Sequence, residues 1–161
     1  MIVLIMGVTG AGKTTIGQLL AAQLGWRFAD ADNFHSPENK EKMRKGIALT
    51  DADRVPWLEA IHAAMVGWNE TGENCVLACS ALKQSYRERL MRNLPTCLVY
   101  LRGDATHIKE RLQGRRDHYA KADLVDSQFQ TLEEPADAIV VEIDTTPEKI
   151  AEEIRSRLTF T

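Results

Sequence analysis

The chain is 161 residues long, 44% apolar and 27% charged, the proportions of an ordinary folded domain rather than of a disordered polymer. A formal net charge of −3 argues against a nucleic-acid partner, because such surfaces neutralise phosphates with a basic excess. The apolar run Ile2 to Met6 is too short for a signal core or a membrane span and has no basic segment before it, so a cytoplasmic protein without a membrane partner is expected.

Ile2-Val-Leu-Ile-Met6 is a continuous, partly β-branched run that suits a central strand covered on both faces. After the glycine-rich stretch from Gly7 to Gly12, apolar residues at Ile16, Leu19, Leu20 and Leu24 lie on one helical face, and Gly25 is a stop signal. A short strand from Trp26 to Ala29 and a small helix from Pro37 to Lys45 follow. A longer helix is predicted from Asp51 to Glu70, capped by Thr50. Cys75 to Cys79 and Thr96 to Leu101 read as buried strands, each followed by a helical pattern, Lys83 to Asn93 and Ala105 to Gln113. A last strand, Ala138 to Ile143, precedes a helix from Pro147 to Leu158 with proline in its first turn.

Five strands alternating with helices imply a three-layer α/β/α fold around a parallel sheet, with ligands beyond the carboxyl ends of the strands. No repeat or linker-like composition divides residues 1–161, so one domain is expected. Cys75, Cys79 and Cys97 form no CxxC pair and sit in apolar stretches, which reads as reduced, buried thiols.

Gly7-Val-Thr-Gly-Ala-Gly12-Lys13-Thr14 fits G-x-x-x-x-G-K-[ST]. Such a loop turns main-chain N–H groups onto phosphates at a helix N-terminus, so Gly7, Thr9, Gly10, Ala11, Gly12, Lys13, Thr14 and Thr15 are the predicted ATP site. Lys13 would bridge the β- and γ-phosphates, and the Thr14 hydroxyl would face Mg²⁺. A GTPase reading fails: the fragment Asn39-Lys40-Glu41-Lys42 lacks the aspartate of a base-reading NKxD element, and no Asp-x-x-Gly occurs.

Asp30 and Asp32 close the second strand two residues apart, so their carboxylates are expected to project together. Asp30 would support Mg²⁺ through water and Asp32 would take the proton of an acceptor hydroxyl; the alternative is a turn cap and a solvated carboxylate. Arg54 would lie in the first turns of its helix, where the dipole disfavours a cation unless Asp51 and Asp53, or an anionic ligand, sit nearby. Lys83 and Arg87, four apart on one expected helix face, repel each other unless an anion joins them. Ser80 is either an ordinary cap or a hydroxyl in the cleft. Together these residues predict an acceptor with a carboxylate and several hydroxyls. Arg111, Arg115, Arg116 and His118 form a lid-like basic stretch within 111–124, from which at least one arginine is expected against the transferring phosphoryl group.

The sequence resembles the gluconate kinase (gluconokinase) family of P-loop kinases over nearly its whole length. The resemblance lies in the phosphate loop, in Asp30-x-Asp32-x-x-His35-x-Pro37, in Leu49-x-Asp51-x-Asp53-Arg54-x-Pro56-Trp57-Leu58, in Cys79-Ser-Ala-Leu-Lys83-x-x-Tyr86-Arg87 and in Ser127-Gln128-Phe129-x-Thr131-Leu132-Glu133-Glu134-Pro135. It implies a nucleoside-monophosphate-kinase-like fold with a lid, phosphorylation of D-gluconate by ATP to 6-phospho-D-gluconate, and homodimers. It also implies that Asp32, His35, Arg54, Ser80, Lys83, Arg87, His118 and Gln128 surround the sugar acid, and that Arg111 and Arg115 serve the nucleotide and catalysis. Shikimate kinase is the competing enzyme reading, since it shares the acidic strand end; its family has a triple-glycine substrate loop, and this sequence contains no Gly-Gly pair. A non-catalytic nucleotide-binding regulator is the competing class, and such a protein needs no Asp32 beside a set of cations.

Overall fold

A computed structural model describes residues 1–112 and 118–160 and, for 118–122, the helical backbone alone. Five parallel strands, β1 (Ile2–Met6), β2 (Arg27–Asp30), β3 (Cys75–Ala78), β4 (Thr96–Arg102) and β5 (Ile139–Glu142), form one sheet in the order β2-β3-β1-β4-β5. The helices among the described residues are α1 (Lys13–Leu24), α2 (Pro37–Arg44), α3 (Asp51–Thr71), α4 (Gln84–Met91), α5 (Ala105–Leu112), α6 (His118–Thr131) and α7 (Pro147–Arg157).

The period of two along each strand sorts the core into two layers. Val3 and Ile5 of β1, Val76 of β3 and Val99 and Leu101 of β4 pack with Ile16 and Leu20 of α1, Ile108 of α5 and Ile150 and Ile154 of α7. Their alternates Ile2, Leu4 and Met6, with Leu77, Leu98 and Tyr100, pack with Trp57, Leu58, Ile61 and Met65 of α3 and Leu90 of α4. Both faces of β1 are therefore covered, and all five of its residues are buried, which is why this strand shows no polar alternation in sequence.

The expected elements are present with small shifts that have local causes. Gly25 takes a left-handed φ of 70° to end α1, and Trp26 N donates back to Ala21 O at 2.9 Å, so β2 starts at Arg27 rather than Trp26. Thr50 caps α3 in a reciprocal box: its hydroxyl accepts from Asp53 N, and Thr50 N donates to an Asp53 carboxylate oxygen, both at 3.0 Å. The lid-like stretch continues into a 14-residue helix, α6, that the sequence reading did not resolve. Its apolar positions are sparse, with Val125 buried but Leu124 exposed, so its helical period is weak.

β1 lies between β3 and β4: the chain runs from β1 out to the edge strand β2, returns to β3, and then crosses β1 to β4 in the other half of the sheet. The crevice beyond its carboxyl end is the usual ligand position in such a sheet. The phosphate loop and the acidic end of β2 both open there.

Candidate active site

The loop after β1 is shaped by two glycines with left-handed φ, Gly10 at 80° and Gly12 at 94°. A Cβ on Gly12 would meet Ile16 Cδ1 at 3.2 Å and an Arg111 guanidinium nitrogen at 3.3 Å. Position 12 thus needs glycine for its backbone and for the close approach of Arg111. The loop borders a cavity of about 380 Å³ whose wall includes Thr9, Gly10, Gly12, Lys13, Thr14 and Thr15, Asp30 and Asp32, Ser80, Arg111 and Gln128. Lys13 Nζ donates to Val8 O at 3.0 Å, curling back over its own loop. Burial pulls the Lys13 pKa below its ordinary value, while Cys79, Asp32 and Asp30 pull against that. Cys79, on the same wall, has its thiol pushed by burial up to about 12, so it is a neutral packing group there.

The carboxyl end of β2 supplies the acidic pair. Thr14 Oγ1 donates to Asp30 Oδ2 at 3.1 Å, and Asp30 Oδ1 accepts from Asp32 N at 2.9 Å, closing a 3-10 turn over Ala31–Phe34. The capping role therefore falls to Asp30, which leaves the exposed Asp32 carboxylate free of that duty at the cavity wall.

His35 follows this turn, 8% exposed and stacked on Trp57 with ring centroids 4.3 Å apart and planes 10° from parallel. Trp57 is anchored in turn, its indole N–H donating to Ala31 O at 2.7 Å. Burial lowers the His35 pKa; Asp32 opposes this and Arg54 reinforces it, so one imidazole senses both the acidic turn and the first basic residue of α3. Its Nδ1 is buried with no hydrogen-bond partner among the described residues.

Lys83 and Arg54 gather around Asp51. Lys83 Nζ lies 3.1 and 3.2 Å from its two carboxylate oxygens, Tyr86 OH donates to Oδ1 at 2.5 Å, and Arg54 Nη1 approaches to 3.9 Å. Arg54 also donates to Leu49 O at 2.9 Å and lies over the Tyr86 ring, as does Lys83. Tyr86 and Lys83 hold the Asp51 carboxyl below its usual range, and Asp51 raises the Lys83 ammonium. Of the two acids expected beside Arg54, Asp51 takes that place; Asp53 serves the Thr50 cap and binds Lys42 Nζ at 3.0 Å.

Two expectations change. Arg87 does not join Lys83 in a cationic pair facing the acceptor: α4 begins at Gln84, Lys83 is its N-cap residue, and Arg87 is 1% exposed with its guanidinium turned onto carbonyl oxygens. Gln128 faces the nucleotide side, its Oε1 accepting from Thr9 N at 2.6 Å in the phosphate loop. Ser80 borders the cavity, and Gln84 N is capped by Glu133 Oε1 at 3.0 Å. Arg115, Arg116 and the His118 side chain lie outside the described residues. Sequence reasoning named Asp51 only as a possible counter-ion of Arg54 and gave Tyr86 no place at the site. Tyr86 stood in a family-like motif without a role, and its contact with Asp51 joins positions 35 residues apart.

Comparison with known proteins gives a consistent set of relatives. The sequence model of the shikimate kinase family matches residues 9–159. A gluconokinase of Gluconobacter oxydans is 44% identical over 93% of this chain and 86% of that protein. A probable gluconokinase of Dictyostelium discoideum is 42% identical over 96% of this chain and 84% of that protein. Among solved structures, a gluconokinase from Sinorhizobium meliloti matches with a TM-score of 0.83 at 36% identity, covering 94% of this chain and 87% of that one.

Proposed function

This chain belongs to the gluconokinase family, within the wider shikimate-kinase-like P-loop kinases, and from that premise we propose that it phosphorylates D-gluconate with ATP to give 6-phospho-D-gluconate and ADP. The observation that carries this reading is the shared cavity, where Lys13 and Thr14 of the phosphate loop face Asp32 and Ser80 of the acceptor side.

In the proposed reaction the terminal hydroxyl oxygen of gluconate attacks the γ-phosphorus, its proton passes to Asp32, and the bond to the ADP oxygen breaks. Main-chain N–H groups of the loop and the Lys13 ammonium balance charge on the β- and γ-phosphates. Arg111, whose guanidinium approaches Gly12, is placed in this reading against the transferring group, with Arg115 and His118 on a lid at 111–124. Thr14 and Asp30 are hard oxygen donors already bonded to each other, a set that fits Mg²⁺; Thr14 directly and Asp30 through water would hold the ion, which would neutralise phosphate charge. Gln128 would act on the nucleotide side by fixing Thr9.

For the acceptor, Lys83 and Arg54 would bind the carboxylate. Asp51 hydrogen-bonds Lys83 and lies 3.9 Å from Arg54 Nη1 as a largely exposed, solvent-screened counter-ion, which an incoming carboxylate can displace without a large penalty. The unpartnered His35 Nδ1 supports a substrate hydroxyl as its partner, because a buried polar atom without one is disfavoured. Free thiols at Cys75, Cys79 and Cys97 support a reducing, cytoplasmic setting. Among the described residues no helix is long and apolar enough to cross a membrane. Pairing into homodimers completes the proposal.

Coupled ADP release across gluconate, shikimate, idonate and nucleoside monophosphates tests it. Gluconate-dependent turnover is expected; shikimate preference would favour the other branch of the family, and ATP turnover indifferent to gluconate would defeat the reading.

A further inference from the structure

Arg87 is almost fully buried, yet among the described residues no carboxylate lies within ion-pair distance of it. Its donors go to four carbonyl oxygens instead. Nη1 donates to Ala81 O at 2.7 Å and Leu82 O at 3.1 Å; Nη2 donates to Glu133 O at 2.8 Å and to the side-chain Gln84 Oε1 at 3.0 Å. A buried charge is tolerated only where its hydrogen bonds are met, and here the planar fork meets them in several directions at once.

The turn that it grips is strained. Ala81 has φ 46°, the left-handed region that alanine avoids, and such a conformation persists only when its surroundings over-determine it. The surroundings here are Arg87 and the segment just beyond α6: Glu133 N donates to Leu82 O at 2.8 Å, and Glu133 Oε1 accepts from Gln84 N at 3.0 Å. On the other side Gly7 N donates to Ser80 O at 3.4 Å, tying the turn to the phosphate loop. The turn carries Ser80 at the cavity wall and Lys83 at the Asp51 cluster, two groups whose directions depend on the backbone between them.

We propose that Arg87 is a positioning residue for the acceptor: it holds the strained turn from Ser80 to Lys83 against Glu133, so that Ser80 and Lys83 present their polar groups to the sugar acid. It does so without touching substrate. This rests on the gluconate-phosphorylating reading above and assigns the acceptor side a support that neither charge count nor cavity lining reveals.

Steady-state kinetics on the full chain, varying gluconate and ATP separately, test it in Arg87→Ala, Arg87→Lys and Glu133→Ala. Arg87→Ala is expected to raise the gluconate KM at least tenfold while the ATP KM stays within twofold, and millimolar guanidinium is expected to reverse part of the loss. Arg87→Lys is expected to remain impaired, since one ammonium cannot span the four acceptors. Glu133→Ala removes an exposed side chain, leaves the main-chain carbonyl, and is expected to shift the gluconate KM in the same direction by a smaller factor; it carries the test if Arg87→Ala does not fold. Unmoved gluconate KM in the folded variants, or KM values for both substrates rising together, would overturn the proposal. So would rescue by lysine but not by guanidinium, which would make Arg87 a simple charge for the substrate. If the wild type ignores gluconate, the underlying reading fails and this proposal with it; gluconate turnover with unmoved KM in the variants defeats this proposal alone.

Discussion

Lys13 and Asp32 lie on one cavity wall but answer to different parts of the proposed reaction, so their substitutions should be distinguishable from those of the acceptor clamp. Asp32→Asn keeps size and polarity and removes the base; it is expected to lower kcat about 10²–10⁴-fold, with little change in melting temperature because the side chain is exposed. Lys13→Ala is expected to lower kcat by orders of magnitude as well. Arg54→Ala should instead raise the gluconate KM and leave kcat largely intact if the guanidinium holds ground state and transition state alike. An unchanged KM in that variant removes Arg54 from the site. That Lys13, Asp30 and Asp32 would share one crevice was legible in the sequence, because glycines before a lysine at a strand end and paired aspartates at the next are local patterns. Arg87 shows where that reasoning stops: helical spacing put it on the face of Lys83, but its guanidinium is directed by Glu133, 46 residues further on.

At the scale of elements, α3 joins the two ends of the site. Its first turn carries Asp51 and Arg54, its second carries Trp57 beneath His35, and Thr50 fixes where the helix begins. Thr50→Ala removes the acceptor for Asp53 N and is expected to destabilise the fold by about 1 kcal/mol, read as a lower denaturation midpoint at unchanged slope. The cap at Thr50 was legible in the sequence, and its reciprocal bond with Asp53 is added by the structure. The start of β2 at Arg27 was not legible, since Trp26 N is taken by Ala21 O at the end of α1, nor was the end of β3 at Ala78 rather than Cys79, which follows its pairing with Asp30. The helix α6 was hidden because its apolar period is faint: among its described side chains Val125 is buried, Phe129 partly buried and Leu124 exposed, although Gln128 reaches Thr9 and the following Glu133 reaches Gln84.

For the whole molecule, alternation of buried strands with helices predicted a parallel sheet between two helical layers, and that architecture is present. The parallel direction brings the acidic end of β2 and the turn after β3 to the same end of the sheet as the phosphate loop after β1, and the strand order, which was beyond sequence reasoning, sets β3 directly beside β1 with β2 next to it. A molecule built this way should hold the sugar acid by its carboxylate at Lys83 and Arg54, which directs the opposite end of the substrate toward Asp32 and the phosphoryl group. The position of the ester in the product reports that orientation directly. In NMR of the product from gluconate and ATP, phosphorus–proton couplings should fall on the C6 protons, and phosphorus–carbon couplings on C6 and its neighbour C5. Couplings to any other carbon, or free phosphate in place of an ester, would contradict this account.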